Sequence, residues 1–179
     1  MKTTQILIAG FGGQGILFAG KFLAYKGLLE DKQVSWLPSY GPEMRGGTAN
    51  CNVILSETPV GSPIVTEPDV LIAMNLPSLE KYVDTVIPGG QIYLDSSLIH
   101  YDIKRTDVQV FPIPATALAK ENGIDSLANM IILGSLLENQ PELSFEGVET
   151  VVSSLVPPKK AALIELNRKA LQLGKDYKA

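Results

Sequence analysis

The sequence is poor in the residues that hold metals, clusters and disulfides. Its 179 residues include one cysteine, Cys51, and one histidine, His100. A single cysteine excludes an internal disulfide, and it excludes an iron–sulfur cluster or a cysteine-based zinc site built by this chain alone. A single histidine likewise excludes a metal site made of several histidines.

Long apolar runs and an excess of positive charge are also lacking. The apolar stretches are far shorter than the about 20 residues that span a bilayer. The formal net charge of −4 is opposite in sign to the surface that nucleic-acid binding favours. The first residues, Met-Lys-Thr-Thr, lead into a strand-like run without a signal-peptide pattern. We therefore expect a cytoplasmic protein that binds neither membranes nor nucleic acid.

Strand-like and helix-like runs alternate up to Pro114, and helical patterns follow it. This order predicts a single α/β domain over residues 1–179, with three αβα layers, a mainly parallel or mixed Rossmann-like sheet and a helical C-terminal part. Pro112 predicts an edge position for the last strand. The predicted strands are Gln5–Gly10, Gln33–Leu37, Thr48–Ser56, Asp69–Met74, Gln91–Asp95 and Val108–Ile113, and the predicted helices are Gly15–Glu30, Pro77–Val86, Ala115–Glu121, Ser126–Glu138, Phe145–Leu155 and Pro158–Leu173.

A glycine-rich turn joins the first predicted strand to the first helix. Glycine allows positive φ and removes Cβ, so backbone N–H groups and the positive end of the helix can approach an anion. Three interpretations stay open: a tight turn that serves packing alone, a contact with an anion or cofactor, and an NAD(P) site. The acid that would hold a ribose is missing, because the second strand ends in Trp36-Leu37-Pro38-Ser39 while Glu30 and Asp31 precede it. The candidate binding residues of this turn are Gly10, Gly12, Gly13, Gln14 and Gly15, with Gln14 also suited to hold a neighbouring loop.

A second turn-rich segment, SYGPEMRGG at 39–47, follows the second predicted strand. An arginine between flexible glycines can direct its planar fork at a carboxylate or phosphate, although a surface pair between Arg45 and Glu43 is the alternative. Loops after the first two strands of a doubly wound sheet share the carboxyl edge, so we expect Gln14 and Arg45 to face one space. The candidate residues here are Tyr40, Gly41, Glu43, Arg45, Gly46 and Gly47.

Other polar positions carry weaker signals. We expect Cys51 to be a packed small side chain rather than part of a site, and His100 to lie at the surface. Asp95, in the segment LDSS, either lines the same cleft or caps a helix. The apolar run from Met130 to Leu137 is predicted to be core, with an oligomer contact as the alternative, and the basic C-terminal helix is predicted to be a solvated face.

The two loops together resemble a known family. GFGGQG at 10–15 followed by SYGPEMRGGTANC at 39–51 is similar to the gamma subunit, or gamma domain, of the 2-oxoacid:ferredoxin oxidoreductases. GSPIV at 61–65, IPGGQIYLDSS at 87–97 and ANMIILGSLL at 128–137 fit the same pattern in the same order. The segment TANCNV and the later PDVLIAMNLPSLEKY resemble most the members that act on 2-oxoglutarate. The alternatives are pyruvate-, branched-chain 2-oxoacid- or indolepyruvate-type members, or a free-standing dinucleotide-binding protein.

This resemblance implies a division of labour. The family oxidatively decarboxylates a 2-oxoacid to an acyl-CoA with thiamine diphosphate and Mg²⁺, and passes the electrons through [4Fe–4S] clusters to ferredoxin. We expect this chain to bind none of these groups alone, to be inactive alone, and to assemble with alpha, beta and delta-type (ferredoxin-like) subunits. The residues of the two loops are expected to face those partners, some of them near the coenzyme A diphosphate or the thiamine-bound intermediate. Whether the isolated chain forms a homodimer is left open.

Overall fold

A computed structural model describes residues 2–39 and 48–178 of the chain. Within these residues, strands and helices follow each other in the order that the sequence predicts. The strands are β1 (Thr3–Phe11), β2 (Gln33–Ser39), β3 (Thr48–Ser56), β4 (Val70–Ala73), β5 (Gln91–Asp95) and β6 (Gln109–Ile113). The α-helices are α1 (Ile16–Leu29), α2 (Leu76–Tyr82), α3 (Ala115–Glu121), α4 (Ala128–Asn139), α5 (Val148–Leu155) and α6 (Ala162–Asp176).

The six strands of the described residues form one mixed sheet in the order β2-β3-β1-β4-β5-β6. Strands β1, β4, β5 and β6 are parallel, whereas β3 is antiparallel to both of its neighbours, β1 and β2. The mainly parallel or mixed sheet is thus confirmed, and so is the edge position of the strand that contains Pro112. Because β1 and β2 both oppose β3, they run in the same direction and their carboxyl ends lie at the same edge of the sheet.

The two faces of the sheet are covered unequally. In the central strand β1, Ile6 and Ile8 belong to a large core that also contains buried residues of α1, α3, α4, α5 and α6. Leu7 points to the opposite face, where it packs with Leu79 of α2 in a smaller core. The alternation follows from the two-residue period of a strand. Helices on both faces confirm the three-layer arrangement and explain why β1 is apolar on both sides.

Several helix ends differ from the prediction for local reasons. α5 begins at Val148 rather than Phe145, because Gly147 adopts a left-handed conformation with φ of 73° and forms the N-cap. The predicted helix from Pro158 splits into a 3-10 turn, Pro158–Lys160, and α6, which extends to Asp176. Two more 3-10 turns, Val83–Thr85 and Asp125–Leu127, replace the end of one predicted helix and the start of another. No helix within residues 2–39 and 48–178 is long and apolar enough to cross a membrane.

Two glycines let α4 and α6 cross in direct backbone contact. A Cβ added to Gly134 would lie 2.0 Å from the carbonyl oxygen of Leu171, and one added to Gly174 would lie 1.7 Å from the carbonyl oxygen of Ile131. The approach is reciprocal, since each helix presents a glycine to the other's backbone. This crossing fixes α4, whose apolar run from Met130 is buried in the large core, as the sequence predicts.

Cys51 is fully buried on β3 against α1. Its sulfur donates to the carbonyl oxygen of Ile16 at 3.5 Å, and a Cβ added to Gly20 would lie only 2.4 Å from that sulfur. Burial raises the pKa of the thiol to about 12, against smaller opposing effects from Trp36 and Gly20. The packed, structural interpretation of Cys51 is therefore confirmed.

Replacing Gly174 by alanine should destabilise the protein strongly. The new Cβ would overlap a backbone oxygen, so α4 and α6 must move apart, and we expect a loss of about 3 kcal/mol in the free energy of unfolding. Gly61→Ala is the matched control, because a Cβ there meets no atom within 4 Å, and surface changes of this kind stay within about 0.5 kcal/mol. Denaturant unfolding measures both variants, and equal stabilities would contradict the close crossing.

Cys51 should not react with a thiol reagent in the folded protein. At pH 8 the buried thiol is protonated because its pKa is about 12, and only the thiolate is nucleophilic. A colorimetric disulfide reagent should detect no thiol in the native chain and one thiol per chain in denaturant. Rapid labelling of the native chain would show that Cys51 is accessible and refute this placement.

Candidate functional site

The glycine turn connects the end of β1 to the start of α1 at the carboxyl edge of the sheet. Gly13 and Gly15 have φ angles of 96° and 73°, in the left-handed region that favours glycine. Gly10 is needed for another reason, since a Cβ there would lie 2.6 Å from Oε1 of Gln14 and 2.8 Å from Cβ of Met74. The turn therefore requires glycine at three positions on geometric grounds alone.

Gln14 holds this turn against the neighbouring strand. Its Oε1 accepts a hydrogen bond from the backbone N–H of Phe11 at 2.6 Å, and its Nε2 donates to the carbonyl oxygen of Met74 at 2.9 Å. Met74 directly follows β4, so one side chain joins the ends of two parallel strands. The amide is suited to this role because it donates and accepts at the same time. The holding function expected from the sequence is the one that the structure shows.

The start of α1 is open to a ligand or to another protein. Gly15 is the N-cap and offers no side-chain oxygen to the first turn of the helix. Backbone donors at a helix start carry a partial positive charge and favour anions. Gly12 and Gly13 are exposed, and they border a depression of about 290 Å³ that Phe11 and Phe18 flank. This geometry can accept a negatively charged group close to the main chain.

The second predicted loop lies outside the described residues, but its two ends do not. Tyr40, Gly41, Glu43, Arg45, Gly46 and Gly47 are not among the residues that the structure describes. Ser39 ends β2, and Thr48 begins β3 directly opposite Phe11 of β1. The chain thus leaves and re-enters the sheet at the edge that carries the glycine turn. These flanking residues agree with the prediction of a shared edge.

The sheet order argues against a dinucleotide site of the Rossmann type. In that fold the second strand lies beside the first and ends in the acid that binds the ribose. Here β3 separates β2 from β1. Glu30 lies instead at the opposite end of α1, where it forms ion pairs with Lys26 and Lys32. Burial alone would raise the pKa of Glu30, but Lys26, Ser144 and Lys32 together lower it below its usual value.

Asp95 serves as a helix cap, one of the two roles that the sequence left open. Its fully buried carboxylate accepts hydrogen bonds from the backbone N–H groups of Ser97 at 3.0 Å and Thr116 at 3.1 Å. Oγ of Ser97 accepts a hydrogen bond from the N–H of Ala117 at 3.0 Å. The segment LDSS thus satisfies the first turn of α3. His100 is exposed, as predicted.

Asn129 is a positioning residue that sequence reasoning did not single out. It lies near the start of α4, and its Nδ2 donates to the carbonyl oxygen of Gly15 at 3.1 Å. A Cβ on Gly15 would lie 2.4 Å from that nitrogen. The available signal was a polar residue at the start of an otherwise apolar helical run.

Within residues 2–39 and 48–178, no three acidic, cysteine or histidine side chains gather as a metal site.

Comparison with known proteins covers almost the whole chain. A family model described as pyruvate ferredoxin/flavodoxin oxidoreductase matches residues 5–177. The chain is 37% identical over 180 residues to the ketoisovalerate oxidoreductase subunit VorA of Methanothermobacter marburgensis, which covers 98% of this chain but only 37% of the relative's length. It is 36% identical over 179 residues to the 2-oxoglutarate synthase subunit KorC of Methanothermobacter thermautotrophicus, covering 96% of this chain and 93% of that one.

The solved structures that share the fold include two at more than 25% identity. One is the gamma subunit of a keto/oxoacid ferredoxin oxidoreductase from Geobacter sulfurreducens, with a TM-score of 0.85, 34% identity, and coverage of 97% of this chain and 95% of that chain. The other is 2-oxoglutarate:ferredoxin oxidoreductase from Magnetococcus marinus with 2-oxoglutarate, coenzyme A and succinyl-CoA bound. Its TM-score is 0.88 at 28% identity, over 98% of this chain and 31% of that chain. With its sheet order, its glycine turn and these matches, the chain belongs to the pyruvate ferredoxin/flavodoxin oxidoreductase family.

Proposed function

We propose that the chain is the gamma subunit of a multi-subunit 2-oxoacid:ferredoxin oxidoreductase. The observation that carries the proposal is the convergence of the glycine turn and both ends of the 40–47 loop on one edge of the sheet. The nearly full mutual coverage with the Geobacter sulfurreducens gamma subunit supports it. The chain spans 37% of the length of the VorA relative. The activity of a complete complex therefore requires polypeptide beyond the region that this chain matches.

The residue inventory supports a role without a redox group of its own. The single thiol, Cys51, is buried in the core and bonded to a helix carbonyl. An iron–sulfur cluster needs several thiolates, so the clusters of such a complex must be held by other subunits. Following the family resemblance, we propose that alpha and beta subunits bind thiamine diphosphate and Mg²⁺, and that a delta-type, ferredoxin-like subunit passes the electrons to ferredoxin. The chain should be inactive alone.

The glycine turn is proposed to form part of the wall on the coenzyme A side. Exposed Gly12 and Gly13 lack side chains that would keep a diphosphate away from the backbone, and the open start of α1 favours negative charge. Arg45 would add a planar cation from the adjacent loop. A Magnetococcus marinus relative of this fold was solved with coenzyme A bound, which supports this ligand class.

The substrate is proposed to be 2-oxoglutarate, with ketoisovalerate as the alternative. KorC relatives and VorA relatives have similar identities to this chain, so identity alone does not separate them. The segments TANCNV and PDVLIAMNLPSLEKY favour the 2-oxoglutarate type. A free-standing dinucleotide-binding protein is disfavoured because β3 separates β2 from β1. The cytoplasmic location stays a prediction.

The assembly is tested by purifying the tagged chain from its native cell and by reconstitution. We expect the alpha, beta and delta-type subunits to co-purify, and 2-oxoacid-dependent reduction of ferredoxin to require all of them. The reconstituted complex should show a higher kcat/KM for 2-oxoglutarate than for ketoisovalerate. Turnover by the chain alone, or purification without thiamine-enzyme subunits, would refute the gamma role. Micromolar binding of NAD(P) to the isolated chain would favour the alternative function.

Arg45→Ala in the reconstituted complex should raise the KM for coenzyme A about tenfold. The reason is the loss of one charge-assisted contact with a phosphate of coenzyme A, and a tenfold change corresponds to about 1.4 kcal/mol. Arg168→Ala is the matched control, because Arg168 lies on α6 and pairs with Glu165 at 3.0 Å on the surface. Steady-state kinetics measure both variants. If Arg45→Ala and Arg168→Ala behave alike, Arg45 has no part in binding.

A further inference from the structure

Helix α1 exposes a face that is almost entirely apolar. Eight of its residues are buried against the sheet and the neighbouring helices, and at 100° per residue the other six lie on one arc of about 120°. Tyr25, Leu28 and Leu29 are 40%, 57% and 49% exposed. We call these six residues the α1 face, and they are Leu17, Phe18, Lys21, Tyr25, Leu28 and Leu29.

A solvated helix normally turns charged and polar side chains outward. α6, a helix of similar length, does so with Glu165, Arg168 and Lys169. The α1 face carries one charge, and that charge lies against the protein, since Nζ of Lys21 is 5.7 Å from the ring centroid of Trp36 on β2. A contiguous apolar surface of this kind marks contact with another molecule.

The order of residues along the α1 face is complementary to itself. In an antiparallel pair centred near Leu23, Leu17 faces Leu28 of the second copy and Phe18 faces Leu29 of the second copy. Lys21 then lies beside Tyr25 of the second copy, which places a cation next to an aromatic ring. A parallel pair would instead bring the two copies of Lys21 together, and like charges oppose each other.

The charged residues at the two ends of the α1 face follow the same symmetry. Lys160 and Phe18 line one cavity at the amino-terminal end of α1. At the other end, a Cβ added to Gly147 would lie 3.5 Å from Leu29, and the exposed Glu146 precedes this glycine. An antiparallel pair brings the lysine end of each copy to the glutamate end of the other, so opposite charges flank the contact at both ends.

We propose that the α1 face is the contact between two copies of this chain, packed antiparallel about a two-fold axis near the middle of α1. The same six residues then serve both copies, as a two-fold contact requires. Six side chains per copy are fewer than the about 20–30 residues a side of a standard interface, so the dimer is weak and reversible. The proposal concerns the isolated chain and does not depend on its role in an oxidoreductase complex.

Sedimentation equilibrium of the full chain measures the pairing. We expect a dissociation constant on the order of 10–100 μM for a contact of this small size. Leu28→Asp places a charge in the apolar contact and should weaken it at least about tenfold. Leu98→Asp is the matched control, because Leu98 is also exposed but lies outside the α1 face, and it should dimerise like the wild-type chain.

Two results of this experiment would overturn the proposal. One is a wild-type chain that stays monomeric at about 500 μM, well above the expected dissociation constant. The other is a Leu28→Asp variant that dimerises as tightly as Leu98→Asp, because the contact would then lie elsewhere on the surface.

Tyr25→Glu and Tyr25→Lys test the antiparallel direction. Both variants lose the same aromatic ring, but glutamate would face Lys21 of the second copy with opposite charge and lysine would face it with like charge. We expect the glutamate variant to dimerise at least about fivefold more tightly, with the difference shrinking in 1 M salt because exposed charges are screened. Equal dissociation constants at low salt would contradict the antiparallel pairing.

Co-purification with alpha and beta subunits tests the other occupant of the α1 face, a partner subunit. We expect Leu28→Asp to bind these subunits as well as the wild-type chain does. A variant that no longer joins them would assign the face to a partner and overturn the pairing. If the wild-type chain itself does not bind them, the proposed function fails while the sedimentation experiment still decides the pairing.

Discussion

The hydrogen-bond register of β3 against β1 and β2 determines where the candidate site can form. Thr48 pairs with Phe11, and Asn50 pairs with both Ala9 and Ser39. A slip of two residues would keep the buried face of β3 but move Thr48 about 7 Å along β1. A slip of one residue would turn Cys51 out of the core. The buried cysteine and its neighbours thus maintain the register that brings the glycine turn and the ends of the 40–47 loop to one edge.

Helix packing also stabilises the glycine turn. The glycine crossing of α4 and α6 fixes the position of α4. Asn129, near the start of α4, then donates a hydrogen bond to the carbonyl oxygen of Gly15. Gln14, which precedes Gly15, donates to the carbonyl oxygen of Met74 after β4. The chain of contacts therefore runs from the C-terminal helix to the glycine turn and on into the sheet. A turn rich in glycine, which is flexible by itself, obtains a defined shape from these two amide side chains.

The local pattern of residue types predicts most of the strands and helices, but it does not predict which strands pair. Thr48–Ser56 and Gln91–Asp95 are predicted as strands with the bounds that the structure has, because the first alternates polar and apolar residues and the second has an apolar centre, Ile92–Leu94. The insertion of β3 between β1 and β2 could not be read from either strand, since pairing is a tertiary choice. The same holds for Lys26, a lysine that is almost fully buried because Glu30 and Ser144 satisfy it. Asn129 was missed since its partner is 114 residues away.

Under the proposed function, a covalent connection between the gamma region and its partners has a physical consequence. In the Magnetococcus marinus structure and in VorA the matching region is about a third of a longer chain. A covalent link there keeps the partner at a high effective concentration. A gamma region that makes up nearly a whole chain, as in the Geobacter sulfurreducens structure, lacks that link and must overcome the entropy of association through surface contacts. Phe11 and Leu98, which follow or end strands at the carboxyl edge and are 41% and 46% exposed, are apolar side chains that association would bury. The edge that carries the glycine turn therefore also offers apolar surface that contact with a partner would bury.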